Sequence, residues 1–80
     1  MKKIIIFHNG AGCPTQPDPA ENAMLGVLVE ELIREAEARG MAECIFRQYK
    51  IHTQRLPNHH WHLVIGNRDG ILVDADIKEE

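Results

Sequence analysis

Eighty residues suffice for one compact domain and are too few for two, so a single unit over 1–80 is expected. Hydrophobic residues make up 44% and charged residues 26%, a globular balance that argues against disorder and contains no apolar run long enough for a membrane span. The net charge of −3 selects no class of partner, because acids and bases are segregated. Asp and Glu fall in 18–43 and 69–80, whereas 44–68 carries Arg47, Lys50, Arg55 and Arg68 with no acid.

The chain opens with Lys2 and Lys3 before Ile4-Ile5-Ile6-Phe7. This apolar run is too short for the core of a signal peptide and reads as a first strand over 3–8. A loop follows over 9–17, where Gly10, Gly12, Pro14 and Pro17 interrupt any regular pattern. Asp18, Pro19 and Glu21 then mark a helix start, with a capping side chain, a proline at the first helical position and an acid three residues after the cap. Met24, Leu25, Leu28, Val29, Leu32, Ile33 and Ala36 repeat with helical period, and Gly40 supplies a left-handed stop. The expected helix covers 19–39.

Residues 42–51 alternate as one strand, with Ile45, Tyr49 and Ile51 on one side and Cys44 and Phe46 on the other. A break is expected over 52–58, where Pro57 and Asn58 disfavour a central strand. Strands at 60–65 and 71–77, joined by Asn67-Arg68-Asp69-Gly70, form an antiparallel hairpin. Strand, helix and strand suggest a crossover that sets the first two strands parallel. The fold class is therefore α/β, a β-α-β-β-β domain with one long helix on a mixed four-stranded sheet. One helix covers only one face of such a sheet. The other face is expected to be polar, loop-covered or buried in a homodimer, and apolar residues on both phases of two strands favour the homodimer.

Two cysteines, Cys13 and Cys44, make no disulfide framework and fit a cytoplasmic protein. Cys44, on a strand, reads as packing. Cys13 begins Cys13-Pro14-Thr15-Gln16, after a strand and before a helix. This order resembles the thioredoxin and glutaredoxin family in a truncated form. The resemblance implies that Cys13 is the redox nucleophile and that Pro57 takes the cis-proline position. Gln16 stands where a resolving thiol would be, so redox activity on this reading is at most monothiol, and an accessory or binding domain is the leading expectation. The alternative for Cys13 is a packed loop residue.

Four histidines, His52, His59, His60 and His62, lie in the acid-free stretch. His60 and His62 share a strand face, and with His52 or His59 they form a candidate site for a transition metal. Arg47, Lys50 and Arg55 could instead meet phosphates, with Trp61 or Tyr49 stacking on a base. The segment His59-His60-Trp61-His62 before Asp69-Gly70 also resembles the histidine-bearing hairpin of small messenger-RNA interferase toxins, which would make His60 catalytic. A polar, histidine-rich sheet surface is the plain alternative to both. No motif implies a cofactor. A protein partner and a nucleic acid both stay open, and no membrane association is expected.

Overall fold

The structure, a computed structural model, describes residues 3–7 and 17–79. Strand β1 (Lys3–Phe7) precedes helix α1 (Pro19–Arg39), and four strands follow: β2 (Met41–Phe46), β3 (Tyr49–Leu56), β4 (His60–Asn67) and β5 (Gly70–Glu79). They form one open sheet in the order β1-β5-β4-β3-β2, with every pairing antiparallel. One small α/β domain with a single long helix on a sheet is therefore what the described residues build.

The helix has the expected bounds because its ends are set by local chemistry. Asp18 Oδ1 accepts from the Glu21 amide at 2.7 Å, and Glu21 Oε1 accepts from the Asp18 amide at 3.2 Å. These reciprocal bonds satisfy donors that the first turn leaves free. Gly40 closes the helix at φ 95, its N–H donating to Ala36 O at 2.7 Å. Leu25, Leu32, Ile33 and Ala36 are buried against Tyr49, Ile51, Trp61, Leu63, Ile65 and Ile77. Each large side chain withdrawn this way contributes about 1.5–3 kcal/mol. The helix packs mainly over β2 and β3.

The expectation of a mixed four-stranded sheet is corrected in three respects. The span 42–51 is not one strand, because Arg47 and Gln48 turn the chain between β2 and β3, with Arg47 at φ 55. Phe46 then pairs with Tyr49, so odd and even positions exchange faces across the turn. Cys44 and Phe46 therefore pack on the core with Tyr49 and Ile51, and Ile45 is 76% exposed. The expected break over 52–58 shrinks to the turn Pro57-Asn58-His59, since β3 continues to Leu56. The first two strands do run the same way, but at opposite edges with three strands between them. No parallel pair forms among the described residues.

Likeness to the thioredoxin family holds at the level of a small α/β domain with one long helix after its first strand. Pro57, which that resemblance would make a cis-proline, follows a trans peptide bond, as no cis bond occurs among the described residues.

Candidate functional site

Strand alternation divides the side chains of β3, β4 and β5 between two faces. Tyr49, Ile51, Thr53, Trp61, Leu63, Ile65, Ala75 and Ile77 point to the helix and are buried. Lys50, His52, Gln54, His60, His62, Val64, Asp74 and Asp76 occupy the opposite face, which no described element covers. The register aligns them in rows: Gln54, His62 and Asp76 in one, and Glu43, His52, Val64 and Asp74 in the next.

A bulge decides this alignment. Asn67 pairs with Gly70 and Gly66 with Ile71, but Ile65 pairs with Val73, leaving Leu72 as the extra residue. A ladder continued from the turn without it would set His62 opposite Ala75 and send Asp74 and Asp76 to the core face. Glycines make the bulged turn. Gly70 lies at φ 144, and a Cβ on Gly66 would come within 3.2 Å of the Gly70 carbonyl oxygen. The Asn67 Oδ1 accepts from the Asp69 amide at 2.8 Å within the same turn.

The result is an imidazole held between two carboxylates. His62 Nδ1 lies 2.8 Å from Asp76 Oδ1, and Nε2 lies 3.2 Å from Asp74 Oδ1. All three side chains are little more than a third exposed. A neutral ring donates from one nitrogen only, whereas the imidazolium donates from both. The buried Asp74 Oδ1 makes no well-formed hydrogen bond, so its approach to Nε2 is a charge contact only with the imidazolium form. Beside this group, Glu43 Oε2 meets His52 Nδ1 at 3.0 Å and Lys50 Nζ at 3.6 Å. The hydrogen bond to His52, then the charge of Lys50, holds the Glu43 carboxyl below its ordinary range. A broad concavity of about 790 Å³ borders this pair, with Val64, Arg68 and Ile71 among its walls.

Of the expected metal ligands, His52, His60 and His62 share the open face, with His60 half-buried between Leu56 and Lys78. His59 does not join them. It lies exposed in the β3–β4 turn at φ 59. Among the described residues, no three His, Cys, Asp or Glu side chains are grouped to hold a metal ion.

The basic residues are not gathered either. Arg47 Nη1 pairs with Glu21 Oε2 at 3.2 Å and its guanidinium lies over Phe46. Arg55, at the other end of β3, donates from Nη1 to Glu37 O at 2.6 Å. Lys50 is alone of the three on the open face. Two of these cations tie α1 to the sheet.

Cys13 and Gln16 lie outside the described residues. Cys44 packs half-buried on β2, as expected, and its thiol is pushed up by burial first, then by Glu31 and Glu35. No helix among the described residues is long and apolar enough to cross a membrane.

Sequence reasoning missed Glu43, Asp74 and Asp76 as partners of the histidines. The signal was present in the phases of β4 and β5. Trp61, Leu63 and Ile65 and also Val73, Ala75 and Ile77 occupy odd positions, so these sets can face one core only if one residue is added beyond a two-residue turn. Comparison with protein-family models, curated proteins and solved structures finds no match to this chain.

Proposed function

We propose that this chain is a small accessory or binding domain rather than a full oxidoreductase, and that it works as a homodimer joined through the open face of its sheet. The observation that carries this reading is the Asp76–His62–Asp74 group at the middle of an uncovered face. Exposed apolar side chains flank it at both edges, Ile6 on β1 and Met41 and Ile45 on β2. An apolar contact with fixed charges that select register is the usual composition of a specific interface.

The layout is also self-complementary. A two-fold axis parallel to the strands and midway between two stacked sheets lays β1 of one copy over β2 of the other. Ile6 then meets the second copy's Met41, and His62 lies near the axis. Asp74 meets the second copy's His52, because both flank Val64 in one row. Aligned sheet packing at about 10 Å accommodates such contacts.

A dithiol reaction draws no support from Cys44, whose thiol is pushed up by burial and by Glu31 and Glu35 and so is not an activated nucleophile. On the thioredoxin-like reading, redox chemistry falls to Cys13 alone with an external thiol. The nucleic-acid alternative is weakened by the separation of Arg47, Lys50 and Arg55, and the metal alternative by the absence of a third converging ligand among the described residues.

Sedimentation equilibrium at high micromolar concentration tests the proposal. The expected mass is twice that of the chain. Ile45→Asp and Ile6→Asp are each expected to give monomers, whereas Val27→Asp, on the exposed outer surface of α1, is not. A monomer throughout, or equal disruption by Val27→Asp, overturns it.

A further inference from the structure

We propose that the free edge of β2, beneath the flank of α1, takes up an extended segment of a protein partner as a further strand, and that this segment alternates basic and apolar residues. No described element lies beyond β2 in the sheet. The Arg55 amide donates to Gly40 O, which fixes the phase of the β2–β3 ladder. Ala42, Cys44 and Phe46 turn their backbone groups toward β3, and Met41, Glu43 and Ile45 turn theirs outward. A row of N–H and C=O groups therefore faces away from the sheet. Natural edges are blunted by bulges, prolines or several charges. By contrast β2 pairs with β3 without a register shift, contains no proline and carries one charge in six residues, Glu43. Such an edge is open to strand addition.

The helix specifies the chemistry of the added strand. Because α1 packs over β2 and β3, a groove of about 320 Å³ lies between it and this edge, lined by Leu28, Leu32 and Cys44 with Glu31, Glu35 and Glu43. Glu43 is already met by His52 and Lys50. Glu31 and Glu35, one turn apart and exposed, have no ion-pair partner among the described residues. Their charge reaches the edge, since both help to push the Cys44 thiol up. A partner residue set opposite Cys44 points to the helix side. A lysine or arginine there lays its stem on Leu28 and brings its charge to Glu31 and Glu35. Partner residues set opposite Met41, Glu43 and Ile45 point to the other side, where Met41 and Ile45 are 49% and 76% exposed and suit apolar neighbours. A second copy of β2 does not fit, because two-fold pairing would bring Glu31 and Glu35 of both helices together. Main-chain bonds thus supply affinity, and the alternating side chains supply specificity.

The probe is an acetylated and amidated peptide of alternating lysine and valine, titrated into the nitrogen-15-labelled full chain. Saturable displacement of the Glu43 and Ile45 amide cross-peaks, with slowed hydrogen exchange at both, is expected. In this register the valine N–H groups face β2 and the lysine N–H groups face away. Backbone N-methylation of the valines is therefore expected to weaken binding tenfold or more, and N-methylation of the lysines to leave it unchanged. Glu31→Gln combined with Glu35→Gln is expected to weaken binding severalfold. Glu30→Gln combined with Glu37→Gln, the same charge removed from exposed positions of α1 that do not line this groove, is not. Equal weakening by the two pairs of substitutions, or equal effects of the two N-methylations, means charge attraction alone and overturns the proposal. Slow exchange at Glu43 and Ile45 before any peptide is added also overturns it, since the edge is then already paired.

Discussion

Replacing Thr53 by valine is expected to stabilise the domain, although the site is wholly buried and most buried substitutions destabilise. Thr53 Oγ1 lies on the helix face of β3 with no hydrogen-bond partner among the described residues. A hydroxyl buried without a partner costs about 1–3 kcal/mol. Valine has nearly the same shape, and the methyl that replaces the hydroxyl contributes about 0.8 kcal/mol by burial. Both residues are β-branched and suit a strand, so the ladder is undisturbed. The gain is therefore about 1.5–3 kcal/mol, discounted slightly for apolar surface already hidden in the unfolded chain. Urea unfolding followed by tryptophan fluorescence measures it directly. With an m-value of about 1 kcal/mol/M for so small a protein, the midpoint is expected to rise by about 1.5–3 M at unchanged slope. A midpoint that falls would mean that the hydroxyl is bonded in solution, and the reasoning from an unpartnered atom would be wrong.

Asp18→Ala removes the side chain that accepts from Glu21 N and is expected to cost about 1 kcal/mol, read as a lower urea midpoint. Alkylation of Cys44 by iodoacetamide is expected to be slower at neutral pH than that of a free cysteine and to rise with pH without levelling where a free thiol would, because burial favours the protonated thiol. The raised thiol pKa contributes stability that is complete below the unfolded value and fades as pH rises through the folded one; fast labelling at pH 7 would contradict this. Glu43 has the opposite sign: its lowered pKa contributes stability that is present above the unfolded value of 4.5 and is lost as pH falls through the folded one. Carbon-13 titration of the Glu43 carboxyl should show its midpoint moving up toward 4.5 in His52→Ala, and an unmoved midpoint would remove His52 as the leading cause.

What was legible in the sequence was what local chemistry determines. Asp18, Pro19, Glu21 and Gly40 set the helix ends through caps that need no tertiary partner. The Asn67–Gly70 turn and its hairpin were equally plain. The β2–β3 turn was not, because Arg47 and Gln48 carry none of the usual turn residues, and Arg47 takes a left-handed φ without announcing it. Missing that turn merged two strands and reversed the apparent faces of Ile45 and Cys44. The histidine face was half legible. That His60 and His62 point the same way follows from strand period alone, whereas their acidic partners depend on a one-residue bulge and on which strands lie side by side. Sheet order is a property of long-range pairing, which alternation within a strand does not encode.

The pairing of β1 with β5 joins positions at opposite ends of the described chain, with Lys3 opposite Glu79 and Ile5 opposite Ile77. During synthesis the isoleucine-rich β1 emerges first, and the strand it needs emerges last. The hairpins β2–β3, β3–β4 and β4–β5 can form from near neighbours, but β1 must wait with its backbone unpaired. The same adjacency makes the placing of the chain's ends nearly arbitrary to the finished sheet. A circular permutant that links the β5 end to the β1 start with a short flexible segment, and opens at the exposed Pro57–His59 turn, would convert the slowest closure into a local hairpin. Such a molecule would keep every strand neighbour while folding by a route that never leaves β1 alone.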